Sequence, residues 1–348
     1  MRRHHFTIDV EEYFHVAAFA PWVLPADWTR WPSRVARSVS RLLALLAEHQ
    51  ARATFFVLGW VAQQHPDVVR DIAAAGHEIA SHGWDHARVT TQTPAAFRAS
   101  VRRTKQFLEA LTGSAVLGFR APSFSIVPGR EWALDVLIEE GYRYDSSLFP
   151  IRRPGYGYPN GRRDPHWIER PEGRLLEVPP ATARWGGVTV PAGGGAYFRV
   201  FPYALFRAAF RDHERRGVPA TFYIHPWEID PGQPRLAVPL LTRLRHYTGL
   251  GRTEARLGRL LSEFRFGSIA ESVACALARG STSRRGMAEG TVRRGMPSSR
   301  RRTGAHSVIA RPGETYCGTR SERSAGISWR VTRAARFAEC CRWPAFAA

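Results

Sequence analysis

Two pairs of side chains in this 348-residue sequence have types and spacings that suit metal binding and acid–base catalysis. Asp9 and Glu11, in FTIDVEEYF, are two residues apart and would lie on the same side of an extended strand. His82 and His86, in SHGWDH, are four residues apart, so both imidazoles reach one cation if the segment turns helically after a strand. Two imidazoles and one carboxylate form a three-ligand metal site with open positions for water and substrate, and the second carboxylate is then free to act as a base.

Each pair also has a simpler interpretation when it is considered alone. Chance spacings of the form His-x-x-x-His are common among 13 histidines, and DVEEY is typical of a solvated acidic turn. The interpretation as a site therefore requires that both pairs meet at one face of the fold.

Short apolar runs alternate with amphipathic helical patterns along the first part of the chain, which predicts βαβ units and a parallel sheet. The predicted strands are His4–Val10, Ala53–Gly59, His77–Ser81 and Val116–Phe119, and the predicted helices are Arg34–His49, Pro66–Ala75, Pro94–Leu111 and Glu131–Glu140. Asp9, His82 and Arg120 come at or directly after the ends of these strands. The carboxyl ends of parallel strands open on one face, so we expect these residues to converge.

Local signals mark the helix ends and the later elements. Ser33 is a candidate N-cap, and Gly76 and Gly141 stand where a left-handed residue commonly ends a helix. Between Tyr142 and Gly195 the pattern loosens into a loop region, interrupted by strand-like segments. Regularity returns in the remaining predicted elements, which are the helix Tyr203–Arg216, the strand Ala220–His225 and a helix near Arg252–Phe264.

The formal charge of +20 is unevenly distributed along the sequence. Residues 279–348 hold 15 Arg against 4 Glu, a net of +11, and all four cysteines lie at or beyond Cys275 without metal-site spacing. We expect residues 1–274 to form the folded domain, with an extension from about residue 226, and residues 275–348 to be a disordered Arg-rich tail. The tail's composition resembles translation in a shifted reading frame, and no specific binding of nucleic acid is expected.

Four ordered motifs, FTIDVEEYF, SHGWDH, RAPS and FYIHPWE, resemble those of the NodB-type polysaccharide deacetylases. The resemblance covers roughly residues 4–270 and is closest to the subgroup associated with exosortase and exopolysaccharide gene clusters. It implies an α/β fold, the distorted (β/α) barrel of the NodB homology type.

The resemblance also implies roles for individual residues. Asp9 would be the general base, His82 and His86 metal ligands, and Arg120 the cation that orients the base. The family's commonest form has two adjacent aspartates, but Val10 follows Asp9 here. Glu11 then becomes the third ligand, with Glu12 as its competitor.

The remaining assignments concern the acid, the substrate and the surroundings of the site. His225 matches the family's late histidine, which is implied to protonate the leaving nitrogen. Trp84, Pro122 and Trp227 are expected to bind substrate, and Asp145 is a candidate partner that fixes the tautomer of a site imidazole.

The expected activity is metal-dependent removal of N-acetyl groups from a bacterial exopolysaccharide or its lipid-linked precursor. Zn²⁺ is the default cation, with Co²⁺ or another first-row ion as the alternative. Two other functions stay open, a cyclic amide or imide hydrolase on the same fold and a non-catalytic carbohydrate-binding protein. With no 18-residue apolar run in the sequence, we expect a cytoplasmic protein that associates peripherally with an exopolysaccharide assembly complex.

Overall fold

The computed structural model describes residues 3–274, which contain all the predicted site residues. The predicted Arg-rich tail, residues 275–348, lies outside the described residues.

A nine-stranded, mainly parallel sheet forms the centre of the described part of the chain. Its strand order is β10-β1-β2-β3-β4-β5-β7-β6, with β11 also pairing with β1, and only β6 and β7 pair antiparallel. The sheet strands are β1 (His4–Val10), β2 (Thr54–Val57), β3 (Glu78–Ser81), β4 (Gly118–Phe119), β5 (Tyr144–Asp145), β6 (His166–Arg170), β7 (Gly173–Glu177), β10 (Thr221–Ile224) and β11 (Phe266–Gly267). A separate hairpin consists of β8 (Thr182–Trp185) and β9 (Val188–Pro191).

The sheet curls toward a barrel because the chain after β7 returns to the edge strand β10. The amide of Ala181 donates to the carbonyl of Thr221 at 2.9 Å, and the amide of Tyr223 donates to the carbonyl of Gly193 at 2.7 Å. These bonds connect the two sides of the sheet, so the predicted distorted α/β barrel is confirmed.

Helices surround this sheet, and most match the predicted ones within a few residues. They are α1 (Val35–Glu48), α2 (Gly59–Gln64), α3 (Pro66–Ala74), α4 (Pro94–Thr112), α5 (Trp132–Glu139), α6 (Gly195–Val200), α7 (Tyr203–Arg215), α8 (Leu240–Tyr247) and α9 (Leu250–Glu263). Gly76 and Gly141 are left-handed, with φ of +75° and +77°, as expected after α3 and α5. The short helices α2, α6 and α8 were not predicted; α2 and α6, with 6 residues each, are too short to show a helical period clearly.

The central strands are continuous apolar runs in the sequence because both faces of the sheet are buried there. All residues of β1, β2 and β10 are buried, because helices cover one face of the sheet and the barrel interior the other. On α1, the apolar residues Val35, Val39, Leu42 and Leu46 are buried in the main core, and Leu43 is partly buried against it. None of the helices within residues 3–274 combines the length and the apolar character needed to cross a membrane.

Candidate active site

The carboxyl ends of three parallel strands bring five of the predicted polar residues together. Asp9 and Glu11 come from the end of β1, His82 and His86 from the segment after β3, and His225 from the end of β10. All five line one cavity that opens to solvent. The two pairs of residues therefore do meet at one face, as the site interpretation requires.

Glu11, His82 and His86 form a compact cluster that can hold a metal ion. One ligand atom from each lies within 4.8 Å of the others, and Nε2 of His86 is 2.8 Å from Oε2 of Glu11. Among the described residues, Oε2 of Glu11 has no hydrogen bond of regular geometry, although it is buried. Burial opposes ionisation of Glu11, but His86 and His225 hold its pKa below the usual range. A buried carboxylate beside two imidazoles fits a divalent first-row cation.

The tautomer of His82 suits a role as ligand. Its Nδ1 lies 2.8 Å from the carbonyl oxygen of Arg120, which can only accept, so Nδ1 carries the proton and Nε2 keeps its lone pair. Burial lowers the pKa of His82 to about 4, so the ring is neutral near pH 7. The backbone carbonyl of Arg120 therefore fixes the tautomer of His82, which is the role predicted for Asp145.

The segment that carries the two histidines does not turn helically, so that part of the prediction is wrong. Gly83 has φ of +78° and His86 has φ of +56°, and no helix forms between His82 and His86. The left-handed residues reverse the chain after β3 and return the second imidazole to the first. Gly83 was the local sign of such a reversal, because glycine adopts positive φ without a steric penalty.

Glu12, the competitor of Glu11 as third ligand, instead caps the start of α1. Its carboxylate accepts the hydroxyl of Ser33 and the backbone amides of Arg34 and Val35, at 3.0 and 3.1 Å, at the start of α1. The predicted N-cap role of Ser33 is therefore wrong, since the N-cap residue is Arg34 and Glu12 satisfies the free amides from a distant strand. Burial raises the pKa of Glu12, and the three donors partly offset that rise.

Replacing Glu12 by Ala should destabilise the fold while sparing the metal cluster. We expect unfolding to become easier by about 1–2 kcal/mol, the usual cost of a lost helix cap, with bound metal unchanged. Urea denaturation and elemental analysis of the purified variant measure the two effects. Loss of metal from a folded Glu12→Ala protein would show that Glu12, not Glu11, is the third ligand.

Arg120 fixes the position of Asp9. Nη1 of this fully buried guanidinium lies 2.7 Å from Oδ1 of Asp9 and 2.7 Å from Oγ1 of Thr7. Its other nitrogens donate to the carbonyl and the hydroxyl of Ser146, and its carbon lies 4.1 Å above the ring of Phe56. With its guanidinium held on three sides, Arg120 orients Asp9 and leaves Oδ2 of Asp9 facing the cavity side, 3.8 Å from Nε2 of His225.

His225 belongs to a chain of charged groups that the sequence analysis did not identify. Its Nδ1 lies 2.6 Å from Oε1 of Glu228, and Oε2 of Glu228 accepts Nε of the buried Arg199 at 2.6 Å. Burial alone would lower the pKa of His225, but Glu11, Glu228 and Asp9 together raise it to about 9. The ring is therefore an imidazolium near pH 7, with Nε2 directed toward the cavity carboxylates.

Two of the predicted substrate-binding residues lie outside the cavity. Trp84 packs against Gly59 of α2 and Phe107 of α4, and the guanidinium of Arg103 lies 3.3 Å from the centre of its ring. The ring therefore packs against helices rather than facing the cavity. Pro122 is also absent from the cavity wall, to which the next residues, Ser123 and Phe124, contribute instead.

Trp227 does line the cavity, but it also supports the site. Its Nε1 donates to Oε1 of Glu11 at 3.1 Å, and its ring stacks on those of His225 and His246. Other cavity residues that the sequence analysis missed are Val16, Ala17, Ala18, Tyr156, Gly195, Ala196, Tyr197, Arg199, Tyr223, Thr242, Arg245 and His246.

No hydrogen bond joins Asp145 to an imidazole within residues 3–274, which corrects its predicted role. Its carboxylate accepts Oγ of Ser147 at 2.5 Å, and Oγ of Ser147 in turn accepts the amide of Ala121 at 2.8 Å. Burial raises the pKa of Asp145 to about 6, next to the equally buried Glu177. Asp145 therefore supports the backbone of the RAPS segment and, through it, the position of Arg120.

Two family models match different parts of the chain. Residues 31–137 match the family model for polysaccharide deacetylase, and residues 146–274 match a domain of unknown function, DUF3473. The first match contains His82 and His86, and the second contains His225 and much of the cavity wall.

Curated relatives match a limited part of the chain. A chitooligosaccharide deacetylase of Rhizobium leguminosarum bv. trifolii is 41% identical over 66 residues, 19% of this chain and 31% of the relative. A peptidoglycan-N-acetylglucosamine deacetylase of Bacillus cereus is 31% identical over 96 residues, 27% of this chain and 35% of the relative. The matches thus span about a third of each of these relatives.

A solved structure from Mycobacterium smegmatis, described as a candidate polysaccharide deacetylase, shares the fold. It superposes with a TM-score of 0.55 at 20% identity, covering 80% of this chain and 92% of that chain. The family model and the curated relatives support the polysaccharide deacetylase family, and the structural similarity supports the α/β fold.

Proposed function

We propose, from the support that the family model and curated relatives give to the polysaccharide deacetylase family, that this protein is a carbohydrate N-deacetylase. The observation that carries the proposal is one cavity that combines a three-ligand cluster, an oriented carboxylate and an imidazolium. Hydrolysis of an amide needs all three, because the carbonyl is a poor electrophile and the amine a poor leaving group.

Glu11, His82 and His86 would hold one divalent cation, with Zn²⁺ as the first choice and Co²⁺ as the alternative. Bound there, the cation would supply Lewis acidity, which polarises a carbonyl and makes a water molecule more acidic. Val10, between the two carboxylates, lies in the core and offers no ligand atom.

Asp9 and His225 would move the protons of the reaction. Asp9 accepts a proton from water as the oxygen attacks the acetyl carbon, and Arg120 keeps that carboxylate in place. Nε2 of His225 then donates a proton to the amide nitrogen as the carbon–nitrogen bond breaks. The products are acetate and a free amine on the sugar, and both proton carriers face the same cavity.

The segment that matches DUF3473 would complete this site. It contributes His225, Glu228 and Arg199, together with an aromatic wall in which the hydroxyls of Tyr156 and Tyr197 lie 2.6 Å apart. We propose that this segment supplies the acid and shapes the substrate cavity. The catalytic unit would therefore extend beyond the residues of the deacetylase model.

The substrate we propose is an N-acetylated oligo- or polysaccharide, in keeping with the names of the curated relatives. The motif resemblance to the exosortase-associated subgroup favours an exopolysaccharide or its lipid-linked precursor. We further propose that the protein acts in the cytoplasm and associates peripherally with an exopolysaccharide assembly complex.

Acetate release from N-acetylated chitooligosaccharides tests the reaction, with cyclic imide hydrolysis measured in parallel. We expect acetate release that a chelator abolishes and added Zn²⁺ restores, and no ring opening. Ring opening without acetate release would favour the cyclic imide hydrolase. Saturable binding of the sugar without turnover would favour the carbohydrate-binding protein.

Replacing Glu228 by Gln should move the alkaline limit of activity to lower pH. The reaction needs protonated His225, so kcat falls as pH rises through the pKa of this histidine, and removing the charge of Glu228 lowers that pKa. We expect the alkaline limb of the kcat profile to move down by about 1 pH unit or more, with little change in KM.

Asp230→Asn is the matched control for the pH experiment. Asp230 is two residues from Glu228 but pairs with Arg34 at 2.8 Å. Its loss should leave the alkaline limb in place. An unchanged limb in the Glu228→Gln enzyme would rule out this role of Glu228.

A further inference from the structure

Five large apolar side chains stand exposed on or beside segments that contribute to the cavity wall. We name Trp22, Leu24, Leu240, Leu241 and Leu244 the apolar rim. Leu240 and Leu244 are 69% and 53% exposed and lie one helical turn apart on α8, and Trp22 is 46% exposed. Leucines exposed to this degree on one helix mark an interaction surface rather than scattered surface residues.

The apolar rim flanks the cavity on two sides. On α8, Thr242 and Arg245 line the cavity while the leucines face outward. On the other side, Val16, Ala17 and Ala18 line the cavity, and the chain continues to Trp22 and Leu24.

The two sides of the rim are joined beneath the surface. Val23, between the exposed Trp22 and Leu24, belongs to the same buried cluster as Val238, two residues before Leu240. This buried cluster therefore joins the two segments that carry the apolar rim, and it also contains Trp227 of the site.

The charged side chains beside the leucines of α8 are all basic, whereas the nearest charged residues to Trp22 and Leu24 are Asp27 and its ion-pair partner Arg30. Residues 231–247 contain Arg235, Arg243 and Arg245 and no acidic residue, and residues 13–26 contain no charged Asp, Glu, Lys or Arg side chain at all. Surfaces that bind at the interface of an anionic bilayer typically combine exposed leucines, a tryptophan and neighbouring arginines. A protein partner would need acidic groups around an apolar patch, whereas an anionic bilayer supplies both features over any area.

We propose that the apolar rim inserts into the headgroup region of an anionic phospholipid bilayer, so that the cavity opens at the membrane surface. The leucines and Trp22 enter the apolar boundary, and Arg235 and Arg243 contact lipid phosphates. Docking itself does not depend on the proposed function. The consequence for substrate does rest on it, because a cavity held at a bilayer would act on a saccharide carried by a lipid.

Vesicle sedimentation of the full-length protein tests the docking. The vesicles are phosphatidylcholine with or without phosphatidylglycerol, and the test variant is Leu240→Glu with Leu244→Glu. The control variant, Trp185→Glu with Val188→Glu, removes exposed apolar residues from the β8–β9 hairpin and changes the net charge equally. The equal change in net charge is needed because the Arg-rich residues 279–348 are present in every sample and are expected to attract anionic lipid through their charge.

We expect the rim variant to bind phosphatidylglycerol vesicles roughly tenfold or more weakly than the unmodified protein, while the hairpin variant binds as the unmodified protein does. Equal binding by the rim variant and the unmodified protein, or an equal loss in both variants, would overturn the proposal. Dimerisation that the rim variant alone abolishes, without vesicle binding, would assign the rim to a second copy and would also overturn it.

Acetate release from a soluble oligosaccharide separates this proposal from the proposed function. The rim residues do not line the cavity, so the rim variant should keep this activity. Vesicle binding by a protein without deacetylase activity would leave the docking intact and refute only the enzymatic role.

Discussion

The His82→Ala protein is expected to release no measurable acetate and to bind metal at least about 100-fold more weakly than the unmodified protein. His82 is one of the three side chains whose ligand atoms lie within 4.8 Å, and its tautomer is fixed by the carbonyl of Arg120. Removing it leaves one imidazole and one carboxylate, too few to hold a first-row cation firmly. Elemental analysis of the purified proteins and an acetate assay measure the two effects.

His49→Ala is the control for the loss of a histidine. His49 ends α1 and does not line the cavity, so its replacement should leave the metal content and the activity unchanged. Full metal content in folded His82→Ala protein would remove His82 from the ligand set.

The Asp9→Asn protein is expected to keep its metal and to lose about 10²–10⁴-fold in kcat. Asparagine preserves the shape and can still accept from Arg120, but it is not a base, so the attacking water keeps its proton. The metal should stay because the cluster consists of Glu11, His82 and His86. Steady-state kinetics at saturating Zn²⁺ give kcat and KM separately.

Stability must be measured beside these kinetics. The charge of Arg120 is fully buried, and removing its carboxylate partner destabilises the fold by several kcal/mol. Thr7→Val is the matched control, because it removes another partner of the same guanidinium and keeps the base. A Thr7→Val enzyme that loses as much kcat as Asp9→Asn would show that the geometry around Arg120, not the base, limits the rate.

The strand pattern predicted much of the site because its chemistry lies at strand ends. Asp9, Glu11, His82, His86 and His225 each stand at or next to the end of a buried apolar run, and parallel strands bring such ends to one face. The choice between Glu11 and Glu12 was left open by the sequence. It depends on a contact between Glu12, which follows β1, and Ser33, which precedes α1; these residues are 21 apart, and no local pattern encodes the contact.

The parts of the site that the sequence did not predict depend mainly on contacts between residues that are distant in sequence. Arg199 reaches Glu228 from α6, a helix of only 6 residues that shows no period. Glu228 itself was within the quoted motif FYIHPWE, three residues after His225, and this spacing is the signal that could have identified it. Trp84 was chosen for its closeness to His82 along the chain, but the reversal at Gly83 directs it into helix packing.

Titration of metal-free protein with Zn²⁺, with acetate release from an N-acetylated chitooligosaccharide followed throughout, tests the proposed metal centre. We expect no activity at the start and a linear rise that saturates near one Zn²⁺ per chain, since the described residues hold one three-ligand cluster. The Glu11→Gln protein should show no rise, and Glu12→Gln should follow the unmodified protein. Full acetate release by metal-free protein, or an equal response of both variants, would contradict the assignment of Glu11, His82 and His86 as the centre of a metal-dependent deacetylase.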